Sequence, residues 1–578
     1  MRIRNTTGDL TVKAIAGTYV VVLGMDLPPA RCEGLLGFAI HRTDHTENEA
    51  HWLEGMKLFP SVPVDFVPGD TVSTRKHPIQ AFSWSDFSAK PDHHYTYRVL
   101  ALNGAPAQPS EMLATELEVR TEPAALPDGH EVYFNRGAAA SQEYARRFHA
   151  ASPDAVGDPA FRWLSRGLEE ALLGFLERAT DAHWGLRVAA YEFTHVPMLK
   201  ALRAAHATRK VDVKIIYHAR ELDDFTVDKQ GTKHPTQTGL NRAAVSAAKL
   251  KSVCTERRAP SKSDISHNKF VVLLHNGVPV SVLTGSTNFS KGAIFGHSNV
   301  VHVDNDPAVA KRYLDFWNTL QPDPTKAVLR PELDAMAAVP GPPLPAAVPA
   351  IGTGAIFSPR TTDDALVLYS MLARRASDAL YATFAFGMHP LFQDVYRTST
   401  APVRFALMDK QVLPLKDKAK EAAEEAKIIA LRRMVENRFA IGGTLPFNVL
   451  EHWAKERLTG LNPHVKYLHT KYMLVDPLGD DPIVVSGSAN FSAASSTDND
   501  ENMLVIRGDT RVADIYFGEF VRLYRHYAFR DWLTNAVARG EIDPTKPIPV
   551  EWLDEKNSWW RKYFGHTGYS NERVYLTK

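Results

Sequence analysis

One short pattern occurs twice in the chain, and this repeat restricts the fold more than any other feature of the sequence. The first copy is His267-Asn268-Lys269, followed by Gly285-Ser286-Thr287-Asn288-Phe289-Ser290. The second copy is His469-Thr470-Lys471, followed by Gly487-Ser488-Ala489-Asn490-Phe491-Ser492. In both copies 21 residues separate the histidine from the asparagine (288 − 267 and 490 − 469). This agreement predicts an internal duplication in which two similar halves of the chain each supply one copy.

Length and composition are those of an ordinary multi-domain globular protein. The 578 residues predict about three domains. A net charge of only +1 gives no overall positive field for nucleic acid. Cys32 and Cys254 are too few and too far apart for a disulfide framework or a cysteine zinc site. The N-terminal residues lack the apolar core of a signal peptide, and no apolar run reaches the roughly 18 residues that span a bilayer. We therefore expect a cytoplasmic protein without a transmembrane segment.

Changes of pattern divide the chain into segments. Short alternating strands near the N-terminus, one of them followed by the tight-turn pair Asn103-Gly104, predict a β-sandwich. Strands then alternate with helices twice in the same order, which predicts two α/β halves. A stretch rich in Pro and Ala between the halves predicts a semi-rigid linker. The expected segments are the sandwich at 1–123, the halves at 130–320 and 353–540, the linker at 321–352, and an aromatic C-terminal tail at 541–578 that packs as a strap.

Three helices are specific expectations. Apolar spacing predicts one helix over 159–179 and a closing helix over 515–532. The charged stretch 416–439 predicts an amphipathic helix that is an insertion, without an equivalent in the first half.

The repeated motif collects groups suited to phosphoryl transfer. Residues i and i+2 of a strand point to one face, so each histidine projects together with its lysine. Across a pseudo-two-fold axis, the two copies would combine two imidazoles, two ammonium groups, two carboxamides and small hydroxyls. Cations and amide donors stabilise charge on the equatorial phosphate oxygens. The predicted phosphate-binding residues are Lys269, Lys471, Ser286, Ser488, Asn288 and Asn490.

Two histidines can divide one phosphodiester reaction between them. A neutral imidazole attacks phosphorus and forms a phosphohistidine. The other imidazole, when protonated, gives a proton to the leaving oxygen and then activates water. The lysines supply the positive charge, and no cluster of Asp and His indicates a metal site. We therefore expect neither a metal nor a cofactor.

The second copy, His469-x-Lys471-x4-Asp476 followed by Gly487-Ser488, Asn490 and Glu501, resembles the motifs of the phospholipase D superfamily. The resemblance covers residues 130 to 535 and implies two mixed-sheet halves with one active site at their junction, complete within one chain. The expected fold class is therefore a multi-domain chain, with an all-β sandwich that resembles a fibronectin type III or immunoglobulin-like module before a duplicated phospholipase D-like body. The implied catalytic residues are His267, His469, Lys269, Lys471, Asn288, Asn490 and Glu501, supported by Asp476, Gly285 and Gly487.

The first copy departs from the superfamily pattern. Leu274 stands where the motif has Asp, and Ser298-Asn299 stand near the position of Glu501. In the superfamily an acidic residue orients each imidazole, and the spacing assigns Glu501 to His469. A carboxylate raises the pKa of its imidazole, so we predict that His267 is the nucleophile and His469 the general acid. The rival interpretation is a weakened site that binds nucleic acid without turnover.

The superfamily includes nucleases, DNA-repair phosphodiesterases, phospholipases and phosphatidyl synthases, and the motif does not choose between them. A basic stretch before the first motif suits a polyanionic backbone. No amphipathic basic helix for interfacial lipid binding is evident. We therefore expect a nuclease, with a phospholipase D-type hydrolase or transferase as the alternative. The basic stretch consists of Lys249, Lys251, Arg257, Arg258 and Lys262, against the single acid Glu256.

Overall fold

The computed structural model describes residues 1–65, 70–137, 142–149, 151–258, 264–336, 348–412, 416–442, 468–543 and 552–578. An all-β region comes first, and two seven-stranded mixed sheets with helices follow it. This order of layers confirms the predicted fold class.

The N-terminal region contains two four-stranded antiparallel sheets with strand orders β1-β2-β3-β8 and β10-β9-β4-β5. Buried and exposed residues alternate along its strands, and the buried residues of both sheets face a common core. The predicted turn at Asn103-Gly104 is wrong, because the strand continues and pairs Gly104 with Pro109. The turn lies at Pro106 and Ala107 instead. The strands are β1 Arg2–Thr7, β2 Leu10–Ala16, β3 Val21–Asp26, β4 Gly37–Asp44, β5 Glu49–Trp52, β6 Glu54–Gly55, β7 Val72–Ser73, β8 Ser83–Asp86, β9 His94–Ala105 and β10 Gln108–Arg120.

The first α/β half is built on one mixed sheet of order β11-β19-β18-β17-β12-β13-β16. Its strands are β11 His130–Phe134, β12 Trp184–Ala190, β13 Asp212–His218, β14 Phe225–Val227, β15 Lys233–Pro235, β16 Cys254–Arg257, β17 Lys269–His275, β18 Val278–Gly285 and β19 Val300–Asp304, with β14 and β15 forming a separate hairpin. Its helices are α1 Gln142–Phe148, α2 Pro153–Val156, α3 Asp158–Ser165, α4 Leu168–Glu177, α5 Val196–Ala207, α6 Gln237–Ala247, α7 Lys291–Phe295, α8 Pro307–Leu320 and α9 Lys326–Ala335.

The second half repeats this sheet strand for strand, in the order β20-β26-β25-β24-β21-β22-β23. Its strands are β20 Gly352–Ser358, β21 Ala379–Phe384, β22 Val403–Met408, β23 Asn437–Ile441, β24 Tyr472–Val475, β25 Ile483–Gly487 and β26 Glu501–Arg507. Its helices are α10 Asp364–Arg374, α11 Pro390–Thr398, α12 Lys418–Arg432, α13 Ala493–Thr497 and α14 Thr510–Ala538, and α15 Gly568–Thr577 ends the chain. Side chains of both sheets share one core with α8 and α14, so the halves form a continuous body.

The helix predicted over 159–179 is wrong in one respect, because two helices, α3 and α4, cover it. The chain turns between them through left-handed backbone at Arg166 (φ 53°) and Gly167 (φ 89°). The turn lets Arg166 reach Glu519 on α14, with 2.8 Å between Nη1 and Oε1. Apolar spacing alone does not report this long-range ion pair.

The prediction that 416–439 is a helical insertion is also wrong. Helix α12 ends at Arg432, and β23 follows as a parallel strand beside β22. Helix α12 therefore connects β22 to β23 as α6 connects β13 to β16. The many charged residues of α12 face solvent, while Ile428 and Leu431 are buried. This narrow apolar stripe explains why the sequence resembles a solvated insertion.

The predicted linker 321–352 is partly a packed element. Helix α9 occupies Lys326–Ala335 and buries Leu329 and Leu333 in the shared core. Residues 337–347 of the predicted linker lie outside the described residues.

The closing helix α14 is longer than predicted and extends to Ala538. In the tail, Trp559 and Tyr563 are buried in the core of the N-terminal sheets. None of the helices in the described ranges combines the length and the apolar character needed to cross a bilayer.

Candidate active site

The two motif copies meet at the ends of β17 and β24, related by a shift of 202 residues (469 − 267 and 501 − 299). Two backbone hydrogen bonds between the halves join positions that are equivalent under the same shift. The His267 amide donates to the Asp500 carbonyl at 3.0 Å, and the His469 amide donates to the Ser298 carbonyl at 3.2 Å. The two imidazole centroids are 6.5 Å apart. The loops that carry the residues behind each histidine thus come from the opposite half.

Glu501 lies behind His267, not behind His469 as predicted. Its carboxylate oxygens accept from Nδ1 of His267 at 2.8 and 2.9 Å. The spacing argument fails because the strand ends cross between the halves. A carboxylate only accepts, so Nδ1 carries the proton and Nε2 keeps its lone pair. Burial lowers the pKa of His267 to about 4, although Glu501 opposes the shift.

Asn299 takes the corresponding place behind His469. Its Nδ2 donates to the Ala293 carbonyl at 2.8 Å, which directs Oδ1 toward His469. Nδ1 of His469 lies 2.9 Å from that oxygen and must therefore carry the proton. Burial, followed by the nearby Lys471, lowers the pKa of His469 well below its ordinary value. No carboxylate lies behind His469 to oppose this shift, whereas Glu501 opposes it at His267.

His297 is a third imidazole in the site that the sequence reasoning missed. Its ring stacks on that of His469, with centroids 4.7 Å apart and 21° between the planes. Its Nδ1 lies 2.7 Å from Nδ2 of Asn299, which makes it a second acceptor for that amide. Burial lowers the pKa of His297 to about 3. The sequence does contain one signal for His297. The equivalent position of the second copy, 202 residues further on, is Asn499, so the two copies differ here.

Both motif lysines are buried, each with 1% of its surface exposed. The ammonium groups of Lys269 and Lys471 donate to the carbonyls of His267 and His469 respectively. Burial lowers the pKa of Lys269 to about 7, against the opposing charges of Glu501 and Glu192. Burial and Lys269 together hold the pKa of Lys471 well below its usual range. A phosphate anion beside these groups stabilises their charged forms.

The motif asparagines and serines have different surroundings. Oδ1 of Asn288 and of Asn490 are buried atoms without a hydrogen-bond partner among the described residues. In contrast, the Ser286 hydroxyl donates to Asn299 at 2.8 Å, and the Ser488 hydroxyl donates to Glu501 at 2.7 Å. The sequence predicts that both serines bind phosphate. Their hydroxyl protons are instead used to hold the residues behind the histidines.

The motif glycines are required by a close approach of backbone. A Cβ on Gly285 would lie 2.2 Å from the carbonyl oxygen of Val300, and one on Gly487 would lie 2.3 Å from that of Asn502. Gly285 also has a φ of +135°. The close approach brings each motif serine beside the strand that carries its partner.

Asp476 is structural and lies outside the catalytic groups. Its carboxylate accepts from the backbone amides of Ser377, Asp378 and Ala379 at 2.8 to 3.2 Å, which closes the turn before β21. At the equivalent position of the first half, Leu274 is buried in the shared core opposite Gly185. The missing Asp in the first copy therefore removes a turn contact and no group that touches the histidines.

The basic stretch before the first motif is only partly free to meet a polyanion. The buried Arg257 donates from Nε to Asp500 at 3.0 Å and from Nη1 to Asp323 at 2.7 Å. Arg258 is exposed and pairs with Glu256 at 2.9 Å. Lys249 and Lys251 are exposed, whereas Lys262 lies outside the described residues. The sequence predicts that Arg257 belongs to a nucleic-acid surface, but the buried Arg257 joins the two halves instead.

In the described ranges, no group of three or more His, Cys, Asp or Glu side chains is arranged to hold a metal ion.

Residues 175–320 and 440–524 match the sequence family described as cardiolipin synthase, PLD-like domain. These two segments carry the first and second motif copies. Among curated protein sequences, none matches the chain.

The solved structures that the chain resembles share little sequence with it. Polyphosphate kinase from Porphyromonas gingivalis is 11% identical with a TM-score of 0.35, over 60% of this chain and 46% of that one, so the chain spans about half its length. Phosphatidylserine synthase from Haemophilus influenzae Rd KW20 is 10% identical with a TM-score of 0.42, over 65% and 91%. The phospholipase D family member Nuc from Salmonella typhimurium is 24% identical with a TM-score of 0.20, over 33% and 93%. All three TM-scores are below 0.5, which indicates only distant similarity.

Proposed function

Because residues 175–320 and 440–524 match a PLD-like family and both motif histidines lie in one site, we propose that the chain is a phospholipase D-superfamily enzyme that hydrolyses phosphodiester bonds through a phosphohistidine intermediate. The observation that carries this proposal is the pair of crossed contacts, Glu501 to His267 and Asn299 to His469. Both contacts fix the proton on Nδ1 and leave Nε2 of each ring for the reaction.

His267 is the proposed nucleophile. The lone pair on Nε2 forms a bond to phosphorus while the bond from phosphorus to the leaving oxygen breaks. The phosphorylated ring carries a positive charge for the lifetime of the intermediate. Glu501 offsets that charge, and the neutral amide of Asn299 behind His469 does not. The sequence also predicts His267 as the nucleophile, but it places the carboxylate behind His469, whereas the structure places it behind His267.

His469 is the proposed general acid and base. A protonated Nε2 gives its proton to the leaving oxygen, and the neutral ring then takes a proton from water as the water oxygen attacks phosphorus. The phosphorus–nitrogen bond breaks, and its electron pair returns to Nε2 of His267. Burial and neighbouring cations disfavour the charged form of His469, and the negative charge of a bound phosphodiester favours it. Proton donation is therefore linked to substrate binding.

Two variants test the mechanism. His267→Ala should abolish hydrolysis of bis(p-nitrophenyl) phosphate, whereas the exposed His275→Ala at the end of β17 should retain it. Enzyme denatured in alkaline detergent during turnover of a labelled phosphodiester should carry the label on His267, because the phosphorus–nitrogen bond is stable in base. Full activity of His267→Ala would exclude the two-histidine mechanism, and label on His469 would reverse the two roles.

Nucleic acid is the first substrate that we propose. Exposed Lys249 and Lys251 lie on the segment that leads to Arg257. Arg257 binds Asp500, the residue before Glu501, so this segment ends beside the site. Cations along such a path bind a phosphate backbone without sequence preference.

Phospholipid is the second candidate, and a separate observation favours it. A cavity of about 240 Å³ opens beside Asn490 and is lined by apolar side chains that include Phe386, Met388 and Val412. Such a cavity suits the apolar part of a lipid phosphodiester. The matched family carries the description cardiolipin synthase, which agrees with this candidate.

A substrate panel in EDTA separates the two candidates. Single-stranded DNA, RNA and phosphatidylcholine vesicles are each offered with and without an added alcohol acceptor. Cleavage of nucleic acid alone supports the first candidate, and cleavage of lipid alone supports the second. Product bearing the alcohol identifies a transferase. Tight binding of nucleic acid without turnover of any substrate would support the non-catalytic interpretation.

A further inference from the structure

A second cavity lies away from the motif residues, where the N-terminal sheets, helix α14 and the C-terminal tail meet. Its volume is about 720 Å³, within the range of about 300–1,000 Å³ typical of small-molecule sites. We propose that this cavity binds a single-chain anionic amphiphile, a long acyl or alkyl chain that ends in one carboxylate or phosphate. No residue of the two motif copies lines it.

The walls of the cavity are aromatic and already packed on one another. The rings of Phe405 and Tyr524 meet edge to face at 4.7 Å, and those of Tyr381 and Phe520 do so at 5.1 Å. Trp559 closes another side and donates its indole N–H to the Leu35 carbonyl at 2.9 Å. These contacts give the cavity a firm apolar surface, which suits a flexible hydrocarbon chain.

Positive charge is concentrated on the same walls. Arg438 lies 4.2 Å from the Tyr569 ring centroid, and its Nη1 is a buried atom without a hydrogen bond among the described residues. Its nearest carboxylate, Glu572, is 3.6 Å away. Arg525 donates to the Ser83 hydroxyl at 3.1 Å, and burial lowers its pKa. Lys562 is exposed at the rim.

The two acidic groups of the cavity do not balance these cations. Glu572 faces Arg438, while Asp554 accepts from its own chain at the backbone amides of Lys556 and Ser558, both at 2.7 Å. An anionic head group near Arg438 and Arg525 would supply the missing negative charge and the missing acceptor for Arg438.

Two neutral polar side chains on the walls, Gln80 and His77, already make hydrogen bonds within the protein. Gln80 exchanges hydrogen bonds with the Asp554 backbone, as donor at 2.8 Å and acceptor at 2.7 Å. Nδ1 of His77 accepts from the Phe59 amide at 3.2 Å. The Gln80 amide and Nδ1 of His77 are therefore not available to read the edge of a nucleobase, which favours a chain with a charged end over a nucleotide.

The test measures binding directly and does not depend on the proposed catalytic activity. Dodecanoate and dodecanoyl lysophosphatidic acid, each below its critical micelle concentration, are titrated into the full chain by calorimetry. Quenching of Trp84, Trp552 and Trp559 is followed in parallel, because these residues line the cavity. We expect saturable binding of one molecule and a raised melting temperature. The affinity for the neutral dodecanol should be lower by about tenfold or more, since dodecanol lacks the charged contact. The stronger of the two anions identifies the head group.

Three variants locate the site. The double variant Arg438→Gln with Arg525→Gln should lower the affinity for both anions about tenfold and leave the affinity for dodecanol unchanged. Val521→Trp should block all three ligands by filling the cavity while keeping its cations. Lys556→Gln makes a similar change of charge at an exposed residue outside the cavity and should bind like the parent. Unaltered binding by Val521→Trp, equal binding of dodecanol and dodecanoate, or saturable binding of dAMP in place of dodecanoate would overturn the proposal.

Discussion

At the scale of single residues, the two copies of the motif differ most in what stands behind each histidine. The second copy supplies Asn499 and Glu501, and the first copy supplies His297 and Asn299 at the equivalent positions. Since each loop serves the histidine of the opposite half, His267 has the carboxylate and His469 has the amide. Asn299 is in turn held by the Ala293 carbonyl and by His297. His297 is therefore a positioning residue for the proposed general acid.

Changing His297 to Phe should disturb His469 without removing a group that touches substrate. The ring stack on His469 is kept, but the acceptor for Nδ2 of Asn299 is lost. We expect kcat to fall about tenfold, equivalent to about 1.4 kcal/mol, with little change in KM. The pH profile of kcat should also shift, which a purely structural role would not produce. An unaltered kcat and profile would show that His297 does not position Asn299.

A second prediction concerns the pKa of His469 when the two residues behind it are replaced by the residue types found behind His267. His297→Asn with Asn299→Glu installs the pair found at Asn499 and Glu501. A carboxylate at Nδ1 raises the pKa of His469, so the alkaline limit of kcat should move to higher pH. Each unit of increase multiplies the protonated fraction above the pKa about tenfold. Glu501→Gln, measured in parallel, should reduce the rate of phosphohistidine formation instead.

At the scale of elements, the turn before β21 depends on Asp476, and its counterpart before β12 does not use the equivalent residue. In the first half, Asp181 accepts from the His183 amide at 2.8 Å and closes the turn locally. Leu274 is then free to pack in the core. The two halves have thus reached the same strand order with different turn contacts.

Asp476→Ala should lower stability and leave catalysis intact. Three backbone amides would lose a charged acceptor, which is expected to lower the free energy of unfolding by about 2 kcal/mol. Urea denaturation measures this loss, and kcat of the folded variant should equal that of the parent. The control is Asp480→Ala, an exposed acid in the following loop. A large loss of kcat in folded Asp476→Ala would assign this residue to the reaction.

At the scale of the whole molecule, several imidazoles are buried in the junction of the halves and against α14. Burial lowers the pKa of His267 to about 4 and those of His297 and His526 to about 3. The pKa values of His302 and His469 are also held well below their ordinary value. In the unfolded chain the same groups take up protons near pH 6.5.

The protein should therefore lose stability as the pH falls from about 6.5 toward 4. The unfolded state binds more protons than the folded state in this window, so each such histidine reduces the free energy of unfolding by up to about 1.4 kcal/mol per pH unit. Above about pH 7 these histidines are neutral in both states and contribute no slope. Melting temperatures at pH 5, 6 and 7 measure the effect. His51→Asn, at an exposed histidine, should leave the slope unchanged, and a constant melting temperature would contradict the prediction.

The sequence by itself determined the duplication, the motif residues and the layers of the fold, because local spacing and strand–helix alternation carry that information. Only the tertiary structure decided which residue lies behind each histidine. Glu501 is 32 residues from His469 (501 − 469) and 234 from His267, yet it contacts His267. The crossing of strand ends at a pseudo-two-fold axis reverses the partner that sequence distance suggests. The same packing buries Arg257 in an ion pair and places His297 against His469, and neither contact has a local signature.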